Sequence, residues 1–77
     1  MSYVKVGEMT IEKNESGYTL FIGPIILRDA PYERLNTDPT YKQEFIRTLR
    51  ESMALVDEED RTKLKRWLEE VKGDEEN

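Results

Sequence analysis

The chain has 77 residues, 36% apolar and 38% charged, so it is expected to form one small domain. Below about 80 residues one core seldom supplies more than about 3–5 kcal/mol, and disulfides, metals or partner subunits usually add to it. With no cysteine and no histidine, disulfides, zinc fingers, thiol nucleophiles and the commonest general base are all excluded.

Twelve Lys and Arg against seventeen Asp and Glu give a net charge of −5. Most of the acidity falls after residue 36. Such a field repels phosphate unless a local basic strip offsets it. No apolar run is long enough to span a bilayer, and the first residues lack a signal-peptide pattern. The expectation is an acidic, cytoplasmic protein that does not enter membranes. Dense mixed charge with little Gln or Asn points to an ion-pair-rich, thermostable protein of thermophile type.

The fold expected is α+β, with strands first and two helices after them (ββαα). Met9 to Lys13 and Tyr18 to Ile22 read as strands around Asn14-Glu15-Ser16-Gly17, a hairpin in which Gly17 closes a type I turn with a bulge. Pairing Lys13 with Tyr18 sets Ile11 opposite Leu20 and Met9 opposite Ile22. In the same register Gly7 falls opposite Pro24, next to Gly23, so residues 3–28 read as one long hairpin bent at that level. Val6 then meets Ile25 and Val4 meets Leu27. A turn at Gly7-Glu8, giving a three-stranded meander, is the alternative.

Ile25-Ile26-Leu27 cannot point all three side chains to one face of a strand. The reading turns Ile26 away from the helices, where it either joins Phe21 in an apolar patch or is covered by the following loop through Tyr32 and Leu35. Residues 29–37 read as a connecting loop. Asp38 caps helix 1 (38–56) with Pro39 at its first position, and Tyr41, Phe45, Ile46, Leu49, Met53 and Val56 form its apolar face.

Asp57-Glu58-Glu59-Asp60 reads as the cap and first turn of helix 2 (57–72) rather than a metal loop, since the oxygen spacing of a calcium loop is missing. Leu64, Trp67, Leu68 and Val71 make its apolar stripe. Glu59–Lys63, Lys65–Glu69 and Arg66–Glu70 are spaced to pair along the solvent side. Gly73 stops the helix and opens an acidic frayed tail (73–77).

No P-loop, dinucleotide-binding glycine pattern or metalloprotease motif is present. No catalytic residue, cofactor or metal is expected, and the protein reads as a non-enzymatic interaction module: an adaptor, inhibitor or regulatory subunit, and a homodimer. Tyr3, Phe21, Ile26 and Trp67 are its candidate interface, Trp67 having the core as its competing place. A narrower variant is an acidic decoy of the kind viral inhibitors use. The alternative is a small nucleic-acid-binding transcription regulator, with Lys42, Gln43, Arg47 and Arg50 as a basic strip on helix 1.

Overall fold

A computed structural model describes residues 2–73; residues 74–77 of the expected tail lie outside them. Strands β1 (Ser2–Val6), β2 (Met9–Asn14), β3 (Gly17–Ile22) and β4 (Ile25–Pro31) form an antiparallel meander in that order. Helices α1 (Tyr32–Thr37), α2 (Pro39–Met53) and α3 (Glu58–Lys72) follow. The class is α+β, strands before helices, as the sequence implies.

The central hairpin has the expected register, with Met9 opposite Ile22, Ile11 opposite Leu20 and Lys13 opposite Tyr18. The bend does not exist. Gly7 (φ 62) and Gly23 (φ 58) each open a two-residue turn, and among the described residues only glycines have positive φ, the glycine-first arrangement of a type II′ hairpin. Both turns lie at one end of the sheet, which is why Gly7 and Pro24 fall at the same level. Val6 therefore opposes Met9 and Val4 opposes Ile11, not Ile25 and Leu27. The expected loop at 29–37 is also replaced, because β4 runs to Pro31 and α1 begins at Tyr32.

Asn14 shapes the turn between β2 and β3, which differs from the expected type I turn with a bulge. Its Oδ1 accepts from the Ser16 amide at 3.0 Å and the Ser16 hydroxyl at 2.9 Å, and Gly17 stands in the strand rather than in a bulge. Gly17 has φ 146, and a Cβ there would lie 2.3 Å from the Ala30 carbonyl oxygen. Only glycine lets β4 approach β3 this closely.

The helices follow the caps read from sequence. Asp38 accepts from the Tyr41 amide at 3.1 Å with Pro39 next in line, and Asp57 accepts from the Asp60 amide at 3.0 Å. Arg61 then ties the helical hairpin, its Nε donating to the Met53 carbonyl and its Nη2 to that of Val56. Glu59–Lys63, Lys65–Glu69 and Arg66–Glu70 do not close to ion-pair distance. The described ion pairs are Lys13–Glu70 at 2.5 Å and Arg34–Asp38 at 3.9 Å.

One face of the sheet packs on α2 and α3. Val4, Ile11 and Leu20 meet Phe45, Leu49, Leu64 and Leu68 in a single apolar cluster, and Trp67 lies in it, 3% exposed. Trp67 is core, so it leaves the candidate interface. Tyr18 is fully buried, with ring centroids of Phe45 at 5.0 Å and of Tyr32 and Trp67 at 5.8 Å. Its hydroxyl donates to Glu70 Oε1 at 3.0 Å. Burial, reinforced by the Glu70 carboxylate, pushes the Tyr18 hydroxyl far above the ordinary phenol range. The Lys13 bond holds Glu70 below the usual carboxylate value, although partial burial opposes it.

Beside this cluster the Arg28 and Arg34 guanidiniums lie 5.4 Å and 3.9 Å from the Tyr41 ring centre, and the Tyr41 hydroxyl donates to the Asp29 carbonyl. These contacts join β4, α1 and α2.

Two predictions follow from this packing. Gly17→Ala must displace β4 and should cost about 2 kcal/mol or more in urea unfolding, the scale of a strained backbone with a steric clash. An unchanged urea midpoint would contradict the close approach. Because Glu70 has a lowered folded pKa, its stabilisation is complete above the ordinary value of 4.5 and is lost as pH falls through the folded value. Glu70→Gln should therefore flatten the fall in urea midpoint between about pH 5 and pH 2, the window of carboxylate titration.

Candidate interaction surface

The second face of the sheet carries Tyr3 and Lys5 on β1, Thr10 and Glu12 on β2, Thr19 and Phe21 on β3, and Ile26 and Asp29 on β4, as the pairings dictate. Thr19 is buried even here. Its hydroxyl accepts from Asn14 Nδ2 at 3.2 Å and donates to Asp29 Oδ1 at 3.0 Å, a polar ladder across three strands. Polar residues thus occupy the middle of this face.

Among the described residues, four of the six exposed large apolar side chains gather at the β3–β4 end; the others are Tyr3 on β1 and Leu55 between α2 and α3. Phe21 pairs with Ile26 on the outer face and Ile22 with Ile25 on the helix side. Leu20 pairs with Arg28, which leaves Leu27 as the extra residue of a bulge on the edge strand. Ile22, Ile25, Ile26 and Leu27 are 44% to 67% exposed, and Phe21 is half-buried. Ile22 shares the helix-side parity of Leu20, so its exposure marks where the helices stop covering the sheet.

Two of the four interface candidates, Phe21 and Ile26, are therefore brought together. Tyr3 is exposed on the same face but on the opposite edge strand and one pairing row away, outside the patch. Sequence reasoning missed Ile22, Ile25 and Leu27, because it placed Ile25 and Leu27 opposite β1 and over the helices. The Gly-first pair at 23–24 is the signal that would have put them at an end of the sheet.

The two edges differ. On β1 the Lys63 ammonium donates to the Tyr3 carbonyl at 3.3 Å, placing a charge against the edge backbone. On β4 the edge at Ile25 to Leu27 is apolar.

The basic strip is only partly assembled. Gln43, Arg47 and Arg50 are exposed at i, i+4 and i+7 and line a shallow groove with Pro39, Thr40 and Glu44. Lys42 lies about 100° around the helix from Gln43 and is half-buried, so it does not extend the strip.

No protein-family model matches the chain, no curated protein matches it, and no solved structure matches its fold. No described helix is long and apolar enough to cross a membrane.

An exposed patch contributes little to the isolated fold. Ile26→Ser at low micromolar concentration should therefore change the urea unfolding free energy by no more than about 0.5 kcal/mol, whereas Leu20→Ala should cost about 2–5 kcal/mol. A large loss for Ile26→Ser would place that side chain in the core.

Proposed function

We propose that this chain is a small, non-enzymatic protein-interaction module that docks through the apolar end of its β3–β4 hairpin. The observation that carries this reading is the cluster of Phe21, Ile22, Ile25, Ile26 and Leu27, exposed on both faces and the edge of one hairpin end. Contiguous apolar patches of about 300–600 Å² on a small soluble protein are often functional. In a chain whose residues are 38% charged, an apolar end without a docking role would be a standing aggregation hazard.

Burial raises the Tyr41 hydroxyl as it does that of Tyr18, and the groups with displaced pKa values support a structural rather than catalytic assignment. Tyr18 and Glu70 are bonded to each other, and Tyr41 is bonded to backbone, so each holds packing. An adaptor, an inhibitor or a regulatory subunit fits this chemistry, in the cytoplasm or another aqueous compartment.

The Gln43, Arg47 and Arg50 stripe favours a second reading, nucleic-acid binding. Its two arginines would neutralise about two phosphates, for a salt slope near −2 on duplex DNA. Glu44 in the same groove and the net charge of −5 oppose it.

Tagged protein should capture partners from its native cells that Ile25→Ser/Ile26→Ser no longer captures, with both forms showing the same circular dichroism. Identical captured sets would remove the docking role of this end. A mobility shift on duplex DNA at 50 mM salt that Arg47→Ala/Arg50→Ala abolishes would establish the second reading instead, and its absence would remove that reading.

A further inference from the structure

The geometry points to a second copy of this chain as the occupant of the apolar hairpin end, with β4 laid antiparallel beside its own counterpart about a two-fold axis. The inference rests on the proposed docking role of that end.

Charge is the first argument. Residues 16–27 form the longest uncharged run in the sequence, and it contains every apolar residue of the patch. In a two-fold interface a side chain near the axis meets its own copy, so any charge there meets its like. A surface for a partner of another kind usually carries charge that selects that partner. The residues of this patch carry none; along the chain charge returns at Glu15 and Arg28, and across the sheet end at Glu8, whose carbonyl accepts from the Gly23 amide.

Shape is the second. The end is apolar on both faces and at the edge, so a flat partner would cover one face and leave the other wet. Strands laid edge to edge place same-face residues beside one another. Pairing β4 with a second β4 sets Ile25 near its counterpart on the helix side and Ile26 near its counterpart on the outer side, with Leu27 at the seam. The β1 edge does not offer the same seam, since Lys63 lies on the Tyr3 carbonyl. Pro31, which has no amide hydrogen, and α1 behind it limit the pairing to the apolar half of β4. The bulge at Leu27 shortens the ladder further, so side-chain contact dominates.

Size is the third. A patch in the common range of about 300–600 Å² on each copy would give a total of about 600–1,200 Å², at or below the usual specific interface of about 1,200–2,000 Å². The dimer should therefore be weak, with a dissociation constant in the micromolar range. Charges outside the patch repel between copies, so salt should tighten it.

Sedimentation equilibrium of the full chain from 1 to 500 μM tests this. The expected result is a monomer–dimer equilibrium whose dissociation constant falls about threefold between 20 and 500 mM NaCl as the repulsion is screened. Ile26→Glu and Ile26→Lys should each weaken association at least tenfold, and an equimolar mixture of the two should restore it. Circular dichroism of each variant checks that the fold is kept. A wild type that stays monomeric at 500 μM, a dimer indifferent to both variants, or variants that do not recover on mixing would overturn the inference. So would a monomer that floats with phosphatidylglycerol vesicles. If the wild type is monomeric yet Ile25→Ser/Ile26→Ser still loses captured partners, the docking role stands and the second copy does not.

Discussion

Tyr18 imposes two demands in one place. Its ring sits at the centre of the core against Phe45, Trp67 and Tyr32, and its hydroxyl must be bonded there, because an unpaired buried phenol is costly. Glu70 meets the second demand from α3, and Lys13, directly opposite Tyr18 on β2, balances Glu70. A single polar point thus sets both the rotation and the axial position of α3 over the sheet. Gly17, one residue earlier, lets β4 close in, and that brings Tyr32 of α1 to the ring edge.

Elements governed by local chemistry were legible in the sequence. The stripes of α2 and α3, the aspartate caps and the β2–β3 register all come from contacts within a few residues or across one tight turn. The Gly23-Pro24 turn was not, and the Gly7-Glu8 turn stood only as the alternative, because proline and glycine also mark bends, and the coincidence in numbering favoured a bend. Residues 32–37 escaped because α1 is short, follows a proline, and buries a single residue, Leu35. Two of the expected ion pairs along α3, Glu59–Lys63 and Arg66–Glu70, failed for a tertiary reason. Lys63 reaches β1 and Glu70 turns inward to Lys13 and Tyr18, and all three contacts cross more than fifty residues of chain.

The site was legible only in part, for a related reason. Parity along a strand says which face a residue takes, and it identified Phe21 and Ile26 as facing away from the helices. It does not say how far the opposing helices extend, so Ile22 and Ile25 read as core. Trp67 shows the converse, since a large aromatic on a helical stripe fits either an interface or a core until a residue as distant as Tyr18 is placed beside it. On α2, spacing separated Gln43, Arg47 and Arg50 from the core, while Lys42 lay near the boundary where a stripe alone does not decide exposure.

The meander pairs each strand with its sequence neighbour, and α1, α2 and α3 contact their own neighbours in turn. Of the helices, α3 makes the closest return to the beginning, touching β1. During synthesis, therefore, the sheet and α2 can form while Tyr18 still lacks Trp67 and Glu70. An emerging chain would show its sticky inner surface until α3 leaves the ribosome and closes over Tyr18.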